Sequence, residues 1–444
     1  MTGLNGHKPR SPAKTALARS QRNGNSAHES GIFIDLFAGC GGLSLGLEQA
    51  GFEPILFSEL NKQAAETYLA NREDLEVVPV SDIYELTNAK LDRLIKGWQR
   101  AGIGDVDLVC GGPPCQGFSG IGHRRTFKLN KKDIPSNHLF EEMIRVIKKV
   151  RPKIFLFENV RGLLNSRWTP SGSKGEIWRK VLNSFREIQG YEVRWDLVHS
   201  KNYGVPQNRP RVLLVGLRKD IYKEAVRRGA LKESPEQTRA VEAGFIPRGS
   251  GKAPSMPELL SDLEDEKFRK KFENPVYLKE PETTIQRALR KRRDGGGILK
   301  KGEPLTEHQY SQHSDYIRKK YDHMIRHDGE IPEKFRTKKF AQRVFPREWG
   351  PEGPNLTATS LPEDYVHYKE GRSPTVREWA RLQTFPDWYV FKGPRTTGGR
   401  RRAGDPSKGI WDRDVPRYTQ IGNAVPVFLA KAVGDHFSSI LRCE

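Results

Sequence analysis

The chain has little cysteine, only four in 444 residues: Cys40, Cys110, Cys115 and Cys443. None stands in a C-x-x-C pair, which argues against a disulfide framework or a zinc site and makes a reducing compartment the natural setting. Long apolar runs are missing as well. No stretch of 18 apolar residues occurs, and the first 30 residues contain no apolar h-region. The sequence therefore shows no signal for secretion or for crossing a membrane. Acidic residues are outnumbered, 55 Asp and Glu against 76 Lys and Arg, giving a formal net charge of +21. A field of that sign favours polyanionic partners, although a basic protein without a nucleic-acid partner stays open at this point.

What is present alternates. Residues 1–30 carry five Lys or Arg against one acid and almost nothing that could pack, and read as a disordered basic arm. From "GIFIDLFAGCGG" onward, buried-strand runs ("FEPILFSEL", "DVDLVCGG", "KIFLFENV", "YEVRWDLVHS", "RVLLVGLRK") interleave with helical patterns ("LSLGLEQAG", "NKQAAETYLANR", "HLFEEMIRVIKKVRP", "WRKVLNSFREIQG"). That order predicts an α/β fold with a mostly parallel, doubly wound sheet. Between about 219 and 370 the alternation stops, and the segment reads as a separate loop-rich module. Helical periodicity returns at "TVREWARLQTF", whose Thr375 and Glu378 form a capping-box pattern, and at "NAVPVFLAKAVGDHF".

The turn after the first strand resembles a dinucleotide-binding loop but fails its spacing. Gly39 and Gly41 supply G-x-G, and the third glycine position holds Ser44. Glu59 ends the second strand 20 residues after Gly39, where such folds place an acid on a ribose diol. Asp82 and Ile83 stand at the end of a third short strand, placed to hold an adenine through one polar and one apolar contact. The set suits a nucleoside without a pyrophosphate, with S-adenosylmethionine as the leading candidate. Either acid taken alone could equally be an ordinary cap. A second loop, "GGPPCQGFSG", fixes Cys115 among prolines and glycines just outside an apolar strand, whereas Cys110 lies inside that strand as a structural thiol would.

With "DLFAGCGGLSLGLEQAG", "GGPPCQGFS", "FENV", "YGVPQNRPR", "SPTVREWARLQTFPDWY" and "QIGNAVP" in this order over residues 31–426, the chain resembles the DNA (cytosine-5) methyltransferase family. The resemblance implies a Rossmann-like methyltransferase core over 31–218, a smaller target-recognition domain over 219–370 and a C-terminal segment, 371–444, returning to the core. It implies transfer of a methyl group from S-adenosyl-L-methionine to C5 of a flipped-out cytosine in double-stranded DNA, giving 5-methylcytosine. Cys115 would attack C6. Glu158, following an apolar strand that would keep its carboxyl protonated, would serve N3, with Asn159 orienting it or the base. Arg211 would contact the base carbonyl, and Arg209 would steady the cleft. Phe37 would stack on the adenine. Gly39, Cys40, Gly41, Gly42, Leu60, Pro114, Asn423 and Ala424 complete the implied cofactor set. No metal is implied.

Ser119, Arg124 and Arg125 resemble the loop that closes on DNA, and Thr357 and Thr359 in "NLTATS" resemble the Thr-rich stretch of the recognition region. "RALRKRRDGGG" also offers cations, with Arg290 to Arg293 fitting a solvated basic face better than base reading. The length of the recognition region favours DNA over the tRNA-methylating branch of the family, and a catalytically silent DNA-binding regulator is the rival of another class. The compact chain fits a prokaryotic or phage modification enzyme. It would be cytoplasmic, associated with the nucleoid when on DNA, and monomeric, with any cognate restriction endonuclease acting separately.

Overall fold

The computed structural model describes residues 31–114, 135–336, 342–348, 354–356, 362–396 and 414–442. Seven strands form one sheet: β1 (Gly31–Leu36), β2 (Phe52–Ser58), β3 (Val78–Val80), β4 (Leu108–Gly111), β5 (Ile154–Val160), β6 (Tyr191–His199) and β7 (Pro210–Arg218). Their order is β3-β2-β1-β4-β5-β7-β6. All pairs are parallel except those of β7, which runs against β5 and β6. The expected mostly parallel sheet is the one observed.

Side chains of the strands alternate between two apolar layers, as the period of a strand requires. Ile34, Val109, Phe155, Phe157, Val212 and Leu214 enter one layer, under helices α3 (Asn88–Arg100), α4 (Leu139–Val150) and α5 (Glu176–Arg186). Phe33, Leu108, Cys110, Leu156, Leu213 and Val215 enter the other. That face is covered by α1 (Gly42–Gln49), by α6 (Lys219–Arg227) and by a C-terminal helix. Leu231, Phe245 and Ile246, beyond α6, pack into the same layer. Helix α2 (Lys62–Ala70) follows β2.

The second half of the chain holds short helices α7 (Met256–Leu260), α8 (Thr284–Leu289) and α9 (Asp315–Arg326), and a parallel pair, β8 (Arg343–Val344) with β9 (Tyr365–Val366). Helix α10 (Val376–Leu382) begins with the capping box read from the sequence, Thr375 Oγ1 accepting from the Glu378 N–H at 3.2 Å. The run "NAVPVFLAKAVGDHF" is not one helix. Helix α11 (Arg417–Asn423) stops there, Ala424 is extended, and Pro426 caps α12 (Val427–Leu441). Pro426 has no N–H to continue a helical ladder, so the break is built into the sequence.

Helices α1 and α12 approach closely because glycines line their contact. A Cβ on Gly46 would fall 2.4 Å from the Ala430 Cβ and 2.6 Å from the Val427 carbonyl, and one on Gly434 would fall 2.7 Å from the Ala50 Cβ. Gly46→Ala is expected to lower unfolding free energy by about 1–3 kcal/mol through overpacking. Urea denaturation checks this, and an unchanged midpoint would contradict the packing account.

Candidate active site

Every parallel strand of the sheet ends at one rim. Leu36 pairs with Ser58 and with Gly111, Ser58 with Val80, and Gly111 with Phe157. The strand order reverses between β1 and β4, the switch point at which open α/β sheets bind ligands. The turn leaving β1 takes positive φ at Phe37 (62°), Gly39 (58°) and Gly41 (85°). The Phe37 N–H donates to Ser58 Oγ at 3.1 Å, and the Gly39 N–H donates to Glu59 Oε2 at 2.8 Å. Glu59 also accepts from the Asn61 N–H through Oε1 at 2.7 Å. Two backbone amides thus orient this carboxylate.

Leu60 is 74% exposed and Phe37 half-buried, an apolar pair left uncovered at the rim. Asp82 caps the turn Ile83–Glu85, accepting from the Tyr84 N–H at 3.0 Å, while Ile83 packs into the core. Cys40 is buried; burial pushes its thiol up to about 12, and Sγ lies 3.4 Å from the Gln420 carbonyl. Cys110 is also buried, its Sγ 3.5 Å from the Ile34 carbonyl. Gly42 packs against Ala424 and the Val425 carbonyl, and Asn423 is exposed beside them.

Across the switch point, Glu158 does not sit as an isolated carboxyl in apolar surroundings. Arg211 Nε lies 2.5 Å from its Oε1 in a buried ion pair. The apolar run of β5 brings Glu158 to the rim, and the cation beside it comes from β7. The register explains the pair: Glu158 faces Leu213 and Val160 faces Arg211, so the two charges share the β5–β7 rim. Asn159 donates through Nδ2 to the Pro113 carbonyl at 3.1 Å. It therefore grips the loop leading to Cys115. A Cβ on Gly112 would stand 2.8 Å from Glu158 Oε2 and displace that carboxylate. Arg209 donates to the Leu356 carbonyl and, through Nη2, to Gly422 at 2.7 Å and Asn423 at 3.3 Å.

Cys115, Ser119, Arg124, Arg125, Thr357 and Thr359 lie outside the described residues, and Pro114 is the last described position before the first of these loops. In the basic run at Arg290 to Arg293, Lys291, Arg292 and Arg293 reach solvent as a solvated face would, and Arg290 does not. Arg290 is fully buried, 3.6 Å over the Tyr277 ring with Nε 2.9 Å from Asp262, while Arg292 pairs with Glu303 and Arg293 with Asp74. A His323, His327 and Glu330 group able to hold a metal ion sits at the end of α9, outside the rim.

Sequence reading missed Gln207, which donates to the Leu382 carbonyl at 2.7 Å and accepts from the Leu356 N–H at 3.1 Å, although it stands in the quoted "QNRPR". It also missed Asp35, beneath the glycine turn, which accepts from Ser44 Oγ at 2.6 Å.

The model of the C-5 cytosine-specific DNA methylase family matches residues 32–439. The chain belongs to this family. The methyltransferase is 30% identical to the Type II methyltransferase M.DdeI of Desulfomicrobium norvegicum, over 91% of this chain and 88% of that one. It is 31% identical to M.XorII of Xanthomonas oryzae pv. oryzae, over 93% and 85%. A crystal structure described as a DNA modification methyltransferase encoded within an E. coli prophage superposes with a TM-score of 0.62 at 22% identity, covering 93% of this chain and 99% of the other, and so shares the fold. Among the described residues, no helix of the methyltransferase is long and apolar enough to cross a membrane.

Burial raises the Asp35 carboxyl from 3.8 to about 7, against the lowering effects of Ser44 and Arg72. Between those values the unfolded chain is ionised at this position and the folded protein is not. The contribution of Asp35 is therefore complete below the lower value and is lost as pH rises through the upper one. Asp35→Asn is expected to flatten that part of the stability profile. Urea denaturation at about pH 5 and about pH 8 reads it, and an unaltered slope would contradict the assignment.

Proposed function

We propose that this chain methylates C5 of a flipped-out cytosine in a specific duplex DNA sequence, through a covalent bond between Cys115 and C6, as a modification enzyme of the restriction-modification type. The observation that carries the reading is the meeting at one rim of the Glu59-anchored glycine turn, the Glu158–Arg211 pair and the Asn159 grip on the Pro113 carbonyl. Relatives named as Type II methyltransferases, matched over most of both chains, support the modification role.

The rim fits a nucleoside cofactor. Glu59, oriented by the Gly39 and Asn61 amides, would meet a ribose diol, the half-buried Phe37 and the exposed Leu60 offer apolar surface for a flat base, and Asp82 and the backbone near Asn423 supply polar edges. S-adenosylmethionine, when bound, supplies an electrophilic methyl group on a sulfonium.

The remaining chemistry belongs to the chain. C6 is unreachable within stacked DNA, so the base must swing out at a cost of a few kcal/mol. Cys115 adds its sulfur to C6, and the electron pair moves toward N3 and C5. Arg211 meets the base carbonyl and Glu158 serves N3. Glu158 is ion-paired with Arg211 in the free protein, and the arriving base would share that cation through its carbonyl. Loss of the C5 proton and expulsion of Cys115 restore the ring.

Residues 31–218 would form the catalytic part, 219–370 the part that chooses the DNA site, and 371–444 the return to the core. Double-stranded DNA is the partner, met in the cytoplasm by a monomer. A cognate endonuclease would act separately.

Bisulfite sequencing of DNA from cells expressing the chain should show 5-methylcytosine in one sequence context, and Cys115→Ser should abolish it. The unaltered protein should also form a denaturation-resistant adduct with the same site carrying 5-fluorocytosine. Transfer of labelled methyl to tRNA alone, or no adduct at all, would overturn the proposal.

A further inference from the structure

Beneath the glycine turn lies a guanidinium that no sequence block pointed to. Arg72, just beyond α2, is 2% exposed, yet each of its five N–H donors meets an acceptor. Nε and Nη2 reach the two Glu48 oxygens at 2.7 and 2.8 Å. Nη2 also reaches the Gly41 carbonyl at 3.3 Å, and Nη1 reaches the Tyr68 carbonyl at 3.0 Å and the Tyr389 hydroxyl at 3.3 Å. The guanidinium stacks 3.9 Å over the Tyr68 ring. Tyr389 in turn donates to the Cys40 carbonyl at 2.5 Å.

Two consecutive carbonyls of the turn are thus held from below, one by a side chain 349 residues away in the chain. In a trans peptide the C=O and N–H point opposite ways, so fixing the Gly41 carbonyl fixes the direction of the Gly42 N–H at the start of α1. Turn and clamp leave no slack. A Cβ on Gly41 would fall 2.8 Å from both Arg72 Nη1 and Tyr389 Oη. The same end of α2 is sewn to the segment after α10. Asn71 exchanges two hydrogen bonds with the Val390 backbone at 2.8 and 3.0 Å, and Thr67 Oγ1 accepts from the Lys392 N–H at 2.8 Å while donating to Gln420 at 2.7 Å.

We propose that Arg72 and Tyr389 are positioning residues for the cofactor: they hold the glycine turn in its binding shape and tie it to the segment following α10. The proposal rests on the cofactor reading given above. Arginine is required because its fork reaches Glu48, Gly41 and Tyr389 at once, whereas an ammonium offers three donors from a single point.

Two mild variants test it in the full chain. Arg72→Lys keeps a cation against Glu48, and Tyr389→Phe removes one hydroxyl. Calorimetry should show the dissociation constant for S-adenosylmethionine rising about tenfold in the first and about threefold in the second. The double variant should lose less than the product, because both act on one turn. Binding of a mixed-sequence DNA duplex, followed by anisotropy below each variant's unfolding transition, should stay near that of the unaltered protein, while the unfolding midpoint falls as buried hydrogen bonds are lost. Cofactor affinity unchanged in both variants overturns the clamp alone, as does an equal loss of duplex binding, the mark of a general structural role. No binding of the nucleoside by the unaltered protein overturns the cofactor reading and the clamp with it.

Discussion

Both faces of the central sheet are buried, and that single constraint decides where this chain can do chemistry. Along β5 the side chains of Ile154, Phe155, Leu156 and Phe157 pass alternately into the two apolar layers, and only past Phe157 does the strand carry polar groups. Strands β1, β2 and β4 likewise lead, at the same rim, into a glycine turn, into Glu59 and into the Gly112–Pro114 segment. Strand ends are also where backbone amides run out of ladder partners, so side chains there must satisfy them. Glu59 accepting from Gly39 and Asn61, and Asn159 donating to Pro113, are answers to that demand. The groups that satisfy the backbone are the ones proposed to meet the ligands.

Local patterns in the sequence reached most of this frame. The strands were legible because apolar runs bounded by glycine or charge admit few alternatives. Helix α3 was not read from the sequence, although Leu91, Leu94, Ile95 and Trp98 stand at helical spacing, because its many charges hid it from a reading tuned to apolar runs. Partnerships between distant residues were not legible. Arg72 ends an ordinary helix, and what gives it meaning are Gly41, Glu48 and Tyr389, set by the fold. Glu158 was singled out by the family resemblance of "FENV", but the cation beside it arrives from an antiparallel neighbour, whose register no local pattern encodes.

The net charge carries a similar lesson. Arg194, Arg290, Arg372, Arg377 and Arg381 are among the largest fully buried side chains, so they are unavailable to phosphates. Arg381 binds Asp262 and Asp387, and Arg372 binds Glu370 and Glu378. Every residue of α10 is buried, including the charged Arg377, Glu378 and Arg381. Such pairs are weak evidence for stability, since apolar replacements of like shape are often neutral. What they add is direction, because a guanidinium with several fixed acceptors permits one orientation of its helix. Among the described residues, the cations left for a polyanion are those at exposed positions.

Direction matters because the two halves of the chain share more than a boundary. Leu45 and Cys40, from α1 and the glycine turn, pack in one apolar cluster with Leu259, Tyr277, Trp379, Phe385 and Tyr418. Gln207, Asn208 and Arg209, at the start of β7, hold the backbone of Pro354 and Leu356, the residues that lead into the Thr-rich stretch. Arg211, two residues further, pairs with Glu158. A shift of the segment that leads into the Thr-rich stretch is thereby a shift of the strand that carries the rim's buried cation. Short, charge-assisted backbone contacts of this kind resist displacement more stiffly than apolar packing, whose energy changes little with small slides. On the reading proposed above, in which residues 219–370 choose the DNA site, seating that part correctly would also set the geometry around Glu158, through the stretch from Gln207 to Arg211.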